Sequence, residues 1–184
     1  GWEVDAGRNP AASDYVISPS RFSTCLLDDD GIKCWGSDNW GLLNVPTLSN
    51  PTQIEVGDFH ACALDEIGVV CWGTDSDNRK NVPSLSDPTQ LSVGGYHSCA
   101  IDETGVRCWG VSTEGQTNVP DLTNPTVIEA GGLHSCALDQ IGVFCWGSNQ
   151  FGQTNVPTLS NPRILAAGYR TTCALHDLGE IGRA

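Results

Sequence analysis

The chain has 184 residues, with 22 acidic side chains against nine basic ones and a formal charge of −13. That balance repels phosphate backbones and anionic membrane surfaces and argues against a nucleic-acid ligand; no apolar run approaches the ~20 residues needed to span a bilayer, so no membrane insertion is expected. The sequence contains nine cysteines and no methionine and starts at Gly1 without a signal-peptide pattern, which reads as a mature or excised product.

In chain order, residues 1–13 form an atypical N-terminal segment, and a 37-residue period then takes over. Cys25, Cys62, Cys99, Cys136 and Cys173 keep that interval, as do Gly31, Gly68, Gly105, Gly142 and Gly179. Cys-Trp-Gly begins at Cys34, Cys71, Cys108 and Cys145, and Asn-Val-Pro at Asn44, Asn81, Asn118 and Asn155. Such a spacing means one supersecondary unit copied along the chain, each copy stable only against its neighbours. The expected units are approximately 14–49, 50–86, 87–123, 124–160 and a partial 161–184, within one repeat domain spanning 1–184.

Each unit reads as strands. Short apolar runs rich in β-branched and aromatic residues are cut by Gly, Asp, Asn and Pro, and nothing sustains a helical period. In the unit 50–86, Asp65 to Gly68 predicts a tight turn that sets Leu64 against Val69, Ala63 against Val70 and Cys62 against Cys71. Alternation along a strand then puts the two cysteines on one face and Trp72 on the other. Opposed residues of an antiparallel hairpin lie within disulfide reach. The predicted bridges are Cys25–Cys34, Cys62–Cys71, Cys99–Cys108 and Cys136–Cys145, with Cys173 unpaired, and each short loop contributes about 2.7 kcal/mol in the chain-entropy picture. Zinc would want closer pairs such as Cys-x-x-Cys, so no metal and no cofactor is expected. Disulfides place the chain outside the cytoplasm: extracellular, on a cell surface or periplasmic.

The pattern Gly-x-x-His-x-Cys-Ala-Leu-Asp-x-x-Gly-Val-x-Cys-Trp-Gly-x-x-x-x-Gly-Gln, as at Gly131 to Gln153, resembles the repeat of the regulator-of-chromosome-condensation family. The period is nearer the short-repeat bacterial branch that includes β-lactamase inhibitor protein II. The resemblance covers residues 14–179 and implies an all-β fold, a β-propeller of 37-residue blades. It implies far less about function, because the scaffold hosts exchange factors, inhibitors and surface proteins.

At the ends the pattern frays, with Gly182 and Arg183 standing where Cys and Trp are expected. Phase arithmetic allows Gly1 to Asn9 to close a five-bladed ring as a last strand. The same segment could instead pair with another chain and extend a head-to-tail assembly.

No catalytic constellation emerges, so the chain is not expected to be an enzyme. His60, His97 and His134 recur once per unit, but their counterparts are Ser23 and Thr171, which suits a structural hydrogen bond to a neighbouring strand or turn. Positions that vary between copies mark loops free to carry function. They nominate Phe22, Trp40, Phe59, Asp75, Asp77, Tyr96, Glu114, Phe151 and Arg170 as a partner-binding surface, aromatic anchors interleaved with charges. The expected function is non-catalytic recognition of a protein or glycan. The alternative is a structural subunit of a surface layer or filament that contacts copies of itself.

Overall fold

A computed structural model describes residues 15–176 and the backbone of 181–183. It is all-β apart from a short 3-10 turn at Ser76–Asn78. Five antiparallel three-stranded sheets follow one another: β1 Val16–Pro19, β2 Ser23–Asp28 and β3 Gly31–Gly36; β4 Gln53–Val56, β5 His60–Leu64 and β6 Val69–Gly73; β7 Gln90–Val93, β8 His97–Asp102 and β9 Gly105–Gly110; β10 Val127–Ala130, β11 His134–Leu138 and β12 Val143–Gly147; β13 Ile164–Ala167, β14 Thr172–Leu175 and β15 Ile181–Arg183. These are the blades of a β-propeller. No described helix is long and apolar enough to cross a membrane.

The hairpin turn explains the register. Asp65 Oδ1 accepts the amides of Ile67 and Gly68 at 2.8 and 3.2 Å, and Gly68 takes φ +142°, where a Cβ is disfavoured. Asp65 Oδ2 also accepts the amide of Ser49, tying the turn to the loop that enters the blade. Asp102 and Asp139 repeat the arrangement with Ser86 and Thr123. The expected pairs form: Leu64 opposite Val69, Ala63 opposite Val70 and Cys62 opposite Cys71.

All four predicted disulfides are present, with Cα separations of 4.0–4.1 Å, and Cys173 is free. In the last hairpin Cys173 faces Arg183, not Gly182, a slip of one residue from the register of the other blades. The physical reason is that no cysteine stands opposite Cys173 and that His176 replaces the aspartate of the other hairpins, so register is weakly specified.

The core lies between blades. The disulfide face of one blade packs on the first two strands of the next: Cys25 and Leu27 cluster with Ile54 and Val56 of β4 and with Ala61 and Ala63 of β5. From the other side Trp72 Nε1 donates to the carbonyl of Leu42 in the preceding unit, and Trp109 and Trp146 do the same to Arg79 and Gln116. Three of the four Cys-Trp-Gly tryptophans are thus held between blades. Trp35 is 51% exposed, against 6% for Trp72 and for Trp109, because the first blade has no predecessor among the described residues. The proposed closing strand, Gly1 to Asn9, and the segment 1–13 lie outside the described residues.

Candidate functional site: an axial cavity with an aromatic rim

The first strand of every blade ends at the same place. Pro19–Arg21, Val56–Asp58, Val93–Gly95, Ala130–Gly132 and Ala167–Arg170 converge on one cavity of about 600 Å³. Glycine dominates the lining for a packing reason: a Cβ on Gly57 or Gly94 would collide with the carbonyl oxygen of Gly94 or Gly131 in the next blade. Backbone thus approaches backbone around the axis.

Carboxylates lie at this lining, Asp58 within it and Glu55 and Glu129 next to it in sequence. Burial raises the pKa of Glu55, although Gln53 and Ser18 donate to it, the Ser18 hydroxyl at 3.3 Å. Glu129 is pushed up to about 7, first by burial and then by the charge of Glu55. Burial also raises Asp58, opposed by the Arg21 guanidinium.

Three histidines lie deeper. His60, His97 and His134 are fully buried, and their Nε2 atoms share hydrogen bonds of 2.7, 2.7 and 2.8 Å with Ser98, Ser135 and Thr172 of the following blade. Desolvation holds their pKa values near 3, 3 and 4. They are neutral pins between blades, as the sequence reading anticipated.

Above the cavity, the loop after each first strand meets the loop after Cys-Trp-Gly, and the variable positions come together there. Phe22 and Trp40 have ring centroids 4.8 Å apart, Trp40 meets Phe59 edge-on at 5.1 Å, and Phe59 lies 5.0 Å from Tyr96. The four rings form one continuous track across three blades. They are half-buried against one another, not splayed into water as a loop reading suggests. Tyr96 extends the track by hydrogen bonding to Tyr169, which raises its pKa.

Three arginines stack on aromatic rings at this rim. Arg79, only 6% exposed, stands 5.3 Å from the centroids of both Phe59 and Tyr96, and its Nη2 donates to Asp77 at 3.2 Å. Arg170 stacks over Phe151 at 4.3 Å and near Tyr169. Arg21 lies over Phe22. Each is a cation–π geometry.

Of the nominated residues, Phe22, Trp40, Phe59 and Tyr96 are thus brought together, Asp77 orients an arginine beside them, and Arg170 with Phe151 forms a second cluster. Asp75 is engaged in its own loop, accepting the amide of Lys80. Glu114 is exposed, its amide held by Gln116, and it takes no part in the ring track. Sequence reasoning missed Arg79, Arg21 and Tyr169. The available signal was register: Tyr169 and Arg21 follow the axial glycine position, where Asp58, Gly95 and Gly132 stand in the other units.

Comparison with known proteins agrees with this architecture. Residues 52–79, 89–116 and 126–153 match the family described as regulator of chromosome condensation (RCC1) repeat. Among solved structures, the ectodomain of the Physcomitrella patens receptor kinase CR4 is 26% identical with a TM-score of 0.73, covering 98% of this chain and 52% of that one. The ectodomain of the Arabidopsis thaliana receptor kinase ACR4 is 25% identical with a TM-score of 0.70, over 88% of this chain and 59% of that one. Prp20p of Saccharomyces cerevisiae, a protein described with binding properties to Gsp1p and histones, is 22% identical with a TM-score of 0.75, over 90% and 55%. The chain spans a little over half the length of these structures. No curated protein matches it in sequence.

Proposed function

We propose that this chain, whose three central units are RCC1 repeats, is a non-catalytic recognition module of an extracytoplasmic protein. The observation that carries the reading is the track Phe22–Trp40–Phe59–Tyr96 with Arg79 set between its last two rings. Stacked aromatics and a stacked guanidinium offer large, rigid contact area at little entropic cost, the composition of an interface hot spot. They occupy positions that change from unit to unit, whereas what the units share is absorbed by turns, bridges and blade packing. A protein is the partner best suited to such a rim, and a glycan ring could stack on it as well. The charge of −13 supports no nucleic-acid partner.

Location outside the cytoplasm is supported by four disulfides of short span, which persist in oxidising compartments. The two ectodomains among the similar structures support it too.

The test is affinity capture from extracellular fractions followed by binding of the recovered protein, with glycan arrays alongside. Phe59→Ala with Tyr96→Ala should lose at least tenfold in affinity, whereas Glu114→Gln should bind as the parent does. Equal binding by all three overturns the assignment of the rim.

A further inference from the structure

The side chains of the rim, taken as a protein-binding surface, also select the chemistry of the partner, and this inference rests on that reading. Aromatic rings on a chain of charge −13 look like a cage for a cationic group. The arginines oppose it. A cation seeks the negative face of a ring, and three of the four rings of the track already carry a guanidinium. Arg21 stands 5.1 Å from the centroid of Phe22, and Arg79 stands 5.3 Å from those of Phe59 and Tyr96. The fourth ring, Trp40, is held between Phe22 and Phe59. A second cation brought to this track meets like charge on either side.

Arg79 is the exception among its own counterparts. The same position in the other units holds Leu42, Gln116 and Gln153, all neutral and all buried. Blade packing uses only the carbonyl there, which accepts the next blade's indole whether the residue is Leu42, Arg79 or Gln116. A guanidinium buried at such a place costs desolvation, and its compensation is partial. Asp77 accepts from Nη2 but is itself open to water, and Nε has no acceptor among the described residues. What the charge gains is its place against Phe59 and Tyr96. This cluster belongs to the second and third blades and has described blades on both sides.

We propose that the rim takes an acidic segment of its protein partner, a Glu or Asp side chain flanked by apolar residues, and that Arg79 sets this choice by acting through Phe59 and Tyr96. The overall negative charge does not forbid it. Acidic pairs crowd the hairpin turns, as at Asp65 with Glu66 and Asp102 with Glu103, at the far ends of the second strands. From Phe59 along β5 to Asp65 is roughly 20 Å, beyond the ~8 Å over which charges are felt at physiological ionic strength. A nucleic acid is long enough to meet all of them, whereas a short segment on the rim is not. Closer in, Asp58 faces Arg21, Asp77 faces Arg79, and Asp38 and Asp75 accept the amides of Leu43 and Lys80 in their own loops. The rings meet one another at 46–85°, so a sugar finds no level platform across them, while narrow side chains of a peptide enter between tilted rings.

The probes are two sets of synthetic peptides with the same Trp and Leu content, one carrying Glu and the other Lys at the charged positions, titrated by calorimetry at physiological ionic strength. The oxidised parent should bind the Glu set about tenfold more tightly than the Lys set. Arg79→Gln, which installs the residue found at this position in two other units, should bring the two sets to near parity, and Arg79→Lys should keep the preference. A preference that survives Arg79→Gln overturns the role of Arg79. Equal binding of both sets, or tighter binding of the Lys set, that is lost in the Phe59→Ala, Tyr96→Ala double variant overturns the acidic partner and leaves the rim standing. Binding indifferent to that double variant, or no binding of either set, overturns the rim and this proposal with it. An oligogalacturonide that binds at the same rings more tightly than the Glu set moves the carboxylate from a protein to a glycan and overturns the proposal as stated.

Discussion

His60, His97 and His134 make stability a function of pH at the scale of single residues. Their folded pKa values, about 3, 3 and 4, lie below the ordinary 6.5. The unfolded chain therefore binds protons that the folded chain refuses, and stability falls as pH drops below 6.5 toward those values. Glu129 acts in the opposite direction. Its folded pKa of about 7 exceeds the ordinary 4.5, so its contribution is present below 4.5 and is lost as pH rises through 7. Between pH 6.5 and 4.5 three histidines oppose this one strongly raised carboxyl, and the urea midpoint should fall on acidification. His97→Gln should flatten that fall, and Glu129→Gln should steepen it while raising the midpoint above pH 7. At Gly105, with φ +119° and open space around it, a side chain meets strain but no clash. Gly105→Val should accordingly cost about 1–2 kcal/mol in a denaturant titration and leave partner binding unchanged.

The hairpin is the element on which both the reading of the sequence and the stability turn. Replacing Cys99 and Cys108 together by alanine should lower stability by about 2–3 kcal/mol. Thiol titration of the unfolded, unreduced chain should find one reactive group, Cys173. These hairpins were legible because three signals agreed within a dozen residues: an Asp that caps its own turn, a glycine at the turn's end, and cysteines at facing positions. The final hairpin was read one residue out of register, since Gly182 holds no cysteine to set it. The partial exposure of the aromatic loops was hidden as well. Period shows that Phe22, Phe59 and Tyr96 are equivalent, but only the rotation from blade to blade, with Trp40 between the first two, joins them in one track.

At the scale of the molecule, the 37-residue step carried the fold class and the inter-blade role of the histidines. It could not carry the arginines. Arg79 reaches Phe59 and Tyr96 from a loop that belongs to neither position, and Trp35 keeps the Cys-Trp-Gly motif with no preceding blade among the described residues to bury it. One consequence of the bridges is mechanical. Each closes a span of nine residues inside a single blade, and none ties one blade to another. Pulled from its ends, the oxidised molecule is free to shed blades one at a time, each bridged hairpin withholding roughly 25–30 Å of contour. In an optical trap, a reductant should lengthen four of the rupture steps by that amount and leave the step of the unbridged blade unchanged. A chain of this kind pays out under load in fixed increments, and the redox potential of its surroundings sets their size.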